Sequence, residues 1–173
     1  PFSPRKLLSE LGQPFPAATS DPKALDRMAL NAAIKGSPQR LSITDGAMDL
    51  DDSKITFSLK AAEFEKPDLT FDLNVDAIDL DRYLPPPAEG KKPAEEEKTA
   101  PSKEPKADYA PLRRMVLDGK IRIGELKIKK GRLQNLEMGI SARNGLFRLD
   151  PLAMNLYEGA LSGKGSFDVR TDT

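Results

Sequence analysis

Leu69-Thr70-Phe71-Asp72-Leu73-Asn74-Val75-Asp76-Ala77 sets an apolar side chain at every odd position and a polar one at every even position. Successive side chains of an extended chain point to opposite faces, so this stretch is a strand with one dry face and one wet face. Covering its apolar side chains is worth on the order of 5 to 10 kcal/mol, at about 1.5 to 3 for each large one. Something must lie on that face. The same period recurs on either side. Ile55, Phe57, Leu59 and Ala61 alternate with Thr56, Ser58 and Lys60. Met115, Leu117, Ile121 and Ile123 do so with Asp118, Lys120 and Arg122, and Leu126 and Ile128 with Lys127 and Lys129. Leu136, Met138, Ile140 and Ala142 continue the pattern, followed by residues 146–149, 154–156 and 161–169. Asp45-Gly46, Lys130-Gly131, Asn144-Gly145 and Glu158-Gly159 read as hairpin connections, which gives about nine or ten strands, mostly antiparallel.

Part of the chain is written twice. Leu25-Asp26-Arg27-Met28-Ala29-Leu30 is echoed by Leu112-Arg113-Arg114-Met115-Val116-Leu117, with Asp21 answering Asp108 and Ile34 answering Ile121. Ala47-Met48-Asp49-Leu50 is echoed by Ala153-Met154-Asn155-Leu156. The second pair of echoes is about twenty residues further apart, room for about two extra strands. The copies predict a duplicated β-unit, each entered through a short helical turn, and copies stacked edge to edge would extend one groove. Ser3-Pro4 with Leu7, Leu8, Leu11 and then Gly12 predicts a short amphipathic helix. Asp21-Pro22-Lys23-Ala24-Leu25 predicts a further turn, repeated over residues 108–114.

The organisation is a first β-unit with its N-terminal helix over residues 1–84, a linker over 85–108, and a second β-unit over 109–173 packing with the first as one fold. The linker holds Pro, Ala, Glu, Lys and Ser without a large apolar residue, so it cannot offset its ordering entropy and is expected to be disordered. The fold class is mainly β, with few short helices: an extended, curved antiparallel sheet of two related units, groove-like or sandwich-like. Two short helices cannot cover such a sheet. It must curl on itself, pack on its duplicate, or bury its face against a partner or lipid, and the closed core is the default expectation.

Composition removes whole classes of function. Lys+Arg and Asp+Glu both number 27, so the net charge is zero and the basic excess of a nucleic-acid binder is missing. No Cys or His occurs, which removes disulfides, thiolate chemistry, Cys/His zinc sites and imidazole catalysis. Asp72-x-Asn74-x-Asp76 starts like a calcium loop, but Ala77 stands where the turn needs Gly. Gly159-Ala160-Leu161-Ser162-Gly163-Lys164-Gly165 fails as a phosphate loop, since Glu158 and Gly165 occupy required Gly and Ser/Thr positions. A paired-carboxylate glycosidase would display aromatic platforms, whereas Trp is absent and aromatics make up 6%. Asp49, Asp51 and Asp52 read as a strand end leading into a turn. No enzyme activity, cofactor or metal is expected.

Phe71-Asp72-Leu73 through Asp79-Leu80-Asp81-Arg82-Tyr83-Leu84-Pro85-Pro86, then the charged linker, then Leu149-Asp150-Pro151-Leu152-Ala153-Met154-Asn155-Leu156-Tyr157-Glu158-Gly159-Ala160-Leu161-Ser162-Gly163 resemble the AsmA family. That resemblance implies a Gram-negative envelope protein of outer-membrane biogenesis, periplasmic and held in the inner membrane by a helix. It further implies repeated sheets forming an apolar β-groove for phospholipid transport between the membranes. The chain starts at Pro1 without an initiator Met or signal pattern, so it is expected to be a fragment whose anchor lies elsewhere. The expected lining or core residues are Ile55, Phe57, Leu59, Leu69, Phe71, Leu73 and Val75. Lys127, Lys129, Lys130 and Arg132 form a basic stripe, either an edge-strand guard against aggregation or a weaker candidate for lipid headgroups. The alternative function is a closed periplasmic scaffold that binds proteins during outer-membrane protein assembly.

Overall fold

A computed structural model describes residues 1–12, 19–63, 66–85, 110–129 and 131–170. The first helix, α1 (Pro4–Glu10), forms where the sequence predicts it. Ser3 Oγ accepts from the Lys6 N–H at 3.3 Å, Pro4 supplies the pre-set first residue, and Gly12 leaves at φ 67°. Asp21-Pro22 starts only a turn, closed by the Lys23 N–H donating to the Asp21 carboxylate at 2.8 Å.

The strands are β1 (Met28–Ser37), β2 (Arg40–Leu50), β3 (Ser53–Ala62), β4 (Asp68–Asp79), β5 (Val116–Ile128), β6 (Gly131–Arg143), β7 (Leu146–Leu156) and β8 (Gly159–Asp168). They form one open, curved sheet in chain order. Every neighbouring pair is antiparallel except β4 and β5, which run parallel. A parallel pair needs a crossover in place of a hairpin. The chain accordingly leaves β4 through a 3-10 turn at Leu80–Arg82 and enters β5 through a second helix, α2 (Ala110–Arg114). The predicted linker, apart from Pro85, and Asp108 lie outside the described residues.

The described residues form eight strands where nine or ten were expected, because breaks in alternation fall inside strands. Asp45-Gly46 is not a hairpin. It lies within β2, where Thr44 and Asp45 together oppose Ser58 and Asp45 takes φ 52°, a bulge. Asp150-Pro151 is a second bulge, in β7, opposing Gly139 on β6 and Lys164 on β8. The apolar phase also slips by one between Ile123 and Leu126. Val75 to Ile78 on β4 and Leu136 to Leu133 on β6 slip at the same level, so apolar still pairs with apolar. Asn144-Gly145 is the hairpin connection expected, with both residues at positive φ (50° and 75°).

The duplication is also less regular than the echoes suggest. Three antiparallel steps and one parallel step make β5 run opposite to β1, so the two Leu-x-Arg-Met-x-Leu copies enter the sheet from opposite ends. The Ala-Met-Asx-Leu echoes fall on β2 and β7, so one extra strand, β6, intervenes where about two were expected.

Candidate functional site

Register lays the apolar side chains in rows across the strands. One central row runs from Ile43 through Leu59, Phe71, Gly119 and Ile140 to Leu149. The next runs from Gly46 through Phe57, Leu73, Ile121 and Met138 to Leu152. All seven nominated residues share this face: Ile55 pairs with Val75, Phe57 with Leu73, Leu59 with Phe71, and Leu69 with Ala61. Ile55 and Val75 are 7% and 8% exposed, while the other five are half-buried.

The buried apolar residues of the strands gather towards the two ends of the strands, on either side of the two central rows. Ile55, Val75 and Leu126 lie towards one end and Ala61, Leu117 and Ala142 towards the other. Between them the face is open. Neither described helix packs along the sheet, and no large side chain is fully buried among the described residues. The closed core expected from sequence is therefore corrected. Its units join edge to edge through β4 and β5, so the duplicate lengthens the apolar face instead of covering it.

The opposite face is polar and satisfied. Arg122 donates to Asp72 at 3.0 Å and to Asn74 at 3.1 Å, and Asp76 accepts from the Lys54 and Ala77 N–H groups at 2.7 and 2.6 Å. The calcium-like carboxylates are thus strand residues with partners, as their spacing suggested. The basic stripe does not guard an edge, because β5 and β6 are interior strands and the edges are β1 and β8. Lys127 pairs with Asp79 at 2.6 Å and Arg132 with Glu125 at 3.5 Å. Lys129 lies in the β5–β6 turn at φ 49°, its N–H donating to Asp81 at 2.5 Å, while Lys130 is outside the described residues.

Sequence reading missed a polar knot at the rim where β2 turns into β3. Asp51 accepts from the N–H groups of Leu25, Asp26 and Arg27 at 2.8, 3.1 and 3.1 Å and from the Tyr83 hydroxyl at 2.9 Å. Burial pushes its carboxyl up, but these donors outweigh it and hold the pKa below the ordinary value. Burial first, and then the bond to Asp51, raise Tyr83 to about 12. Arg82 joins Asp21 at 2.7 Å and Asp52 at 2.8 Å, tying the segment before β1 to the turn after β4.

An open sheet with a one-sided apolar face, entered and left through short capped turns, agrees with one family model, the AsmA family, which matches residues 18–173. The chain belongs to the AsmA family. Among curated proteins and solved structures nothing matches it. Membership links this AsmA chain in general terms to outer-membrane biogenesis and lipid transport. No described helix is long and apolar enough to cross a membrane.

Proposed function

We propose that this AsmA-family chain is a non-enzymatic, periplasmic module of an inner-membrane-anchored envelope protein, and that its apolar sheet face carries phospholipid acyl chains between inner and outer membranes. The observation that supports this most is the pair of half-buried central rows with no second layer over them among the described residues. Burying each methylene is worth about 0.8 kcal/mol and has no preferred direction, so a continuous apolar face can hold an acyl chain and still let it slide. Headgroups remain in water beside the sheet. Lys127, Lys129, Lys130 and Arg132 are secondary candidates for meeting them, since Lys127 and Arg132 already have acidic partners.

The protein-scaffold alternative requires apolar faces closed within the monomer, and the uncovered central rows weigh against it. A photo-crosslinker placed at Leu73 or Met138 of the full-length protein in cells tests the proposal. Phospholipid adducts are expected; adducts with protein alone would sink it.

A further inference from the structure

Two phenylalanine rings lie over glycines in the neighbouring strand. A Cβ added to Gly119 on β5 would overlap ring atoms of Phe71, its register partner on β4. A Cβ added to Gly46 on β2 would come within 2.8 Å of the Phe57 ring, its partner on β3. The rings lean in opposite directions, Phe71 outward from β4 and Phe57 outward from β3, each occupying the space of a missing side chain. A ring folded onto a glycine presents its face and adds little height, whereas an upright ring obstructs the row it stands in.

We infer that the Phe71–Gly119 pair sets the depth of the apolar face at its centre, keeping the middle rows clear for an acyl chain. This rests on the lipid-carrying reading and assigns Gly119 and Phe71 a positioning role within it. The pair lies in the row between Leu59 and Ile140, which are both half-buried, and no described element is layered over the face there. Gly119 is the informative site because the three nearest atoms its Cβ would meet all belong to the Phe71 ring, the mobile end of a side chain. Gly46 is not, since its Cβ would also meet the Phe57 carbonyl oxygen at 2.6 Å and disturb the bulge itself.

The experiment places a photo-crosslinker at Ile140 in the full-length protein and measures capture of radiolabelled phospholipid in cells for the parent, Gly119→Ala, and Gly119→Ala with Phe71→Ala. Gly119→Ala should lower capture about fivefold, equivalent to about one methylene losing cover. Removing the ring in the double variant should return it to the parent level, and that rescue separates a raised ring from a misfolded sheet. Capture unchanged by Gly119→Ala, or lost in both variants, overturns the positioning role while leaving the lipid-carrying reading intact. No capture by the parent overturns that reading, and this inference with it.

Discussion

β2 ends in Ala47-Met48-Asp49-Leu50 and β7 in Ala153-Met154-Asn155-Leu156; each phrase follows a bulge and runs into a two-residue turn that starts at positive φ, Asp51 at 51° and Tyr157 at 54°. From that shared frame the two turns diverge. Asp51 gathers donors from residues 25–27 and from Tyr83, fastening the chain entering β1 and the chain leaving β4 to one rim. Tyr157 is 81% exposed. Repetition therefore supplies strand, bulge and turn, while the side chain at the first turn residue decides whether the turn also locks the rim.

Truncating each residue in turn should give the largest contrast between the two turns. Asp51→Ala leaves three backbone donors and a hydroxyl without their acceptor, and partial access of water reduces the penalty to about 2 to 3 kcal/mol. Tyr157→Ala should stay within about 0.5 kcal/mol of the parent. Denaturant midpoints decide; equal shifts would mean that no lock exists.

Titration gives a second, smaller discrimination. The folded pKa of Asp51 is lowered, so its contribution is fully present above the unfolded value of about 4 and drains away as pH falls through the folded one. Asp51→Asn should flatten that acid loss. Tyr83 has the opposite sign. Its folded pKa is raised to about 12, so its contribution is complete below the unfolded value near 10 and is lost between about pH 10 and 12. Tyr83→Phe should remove that alkaline component and lower stability at neutral pH by about 1 kcal/mol, the worth of one hydrogen bond to a charged group at a partly wet site. Thermal melts across pH would show either component; parallel parent and variant profiles would count against the lock.

The strands were legible because alternation is a local signal: Leu69 to Ala77 announces its own conformation and its own dry face. That no described element covers that face was not legible. It depends on two units meeting edge to edge through the parallel β4–β5 pair, and no periodicity encodes that joint. Asp45-Gly46 misled because a bulge and a hairpin both call for a residue at positive φ, as Asp45 has here. The Asp51 lock was invisible because its donors come from distant segments. Gly119 did carry a signal, a lone glycine inside an alternating strand, which marks close approach without saying what approaches.

The smallest effect separates two ion pairs. Lys164 reaches across to Asp150 in the β7 bulge at 2.8 Å, with side chains 76% and 51% exposed. Arg82 holds Asp21 at 2.7 Å with side chains 26% and 28% exposed, and it also reaches Asp52. An exposed pair gains little over water and is readily screened, so Lys164→Ala should change stability by less than about 0.5 kcal/mol. Arg82→Ala should shift the midpoint further, because it releases two acids and loosens the segment that supplies Asp51 with donors. Raising salt from about 0.15 to 1 M shortens the screening length from about 8 to 3 Å. The Lys164 effect should then vanish, while part of the Arg82 effect persists as hydrogen bonding between half-buried groups. If both effects vanish together, the rim pair is no more than surface charge, and only the Asp51 hydrogen bonds distinguish the two turns.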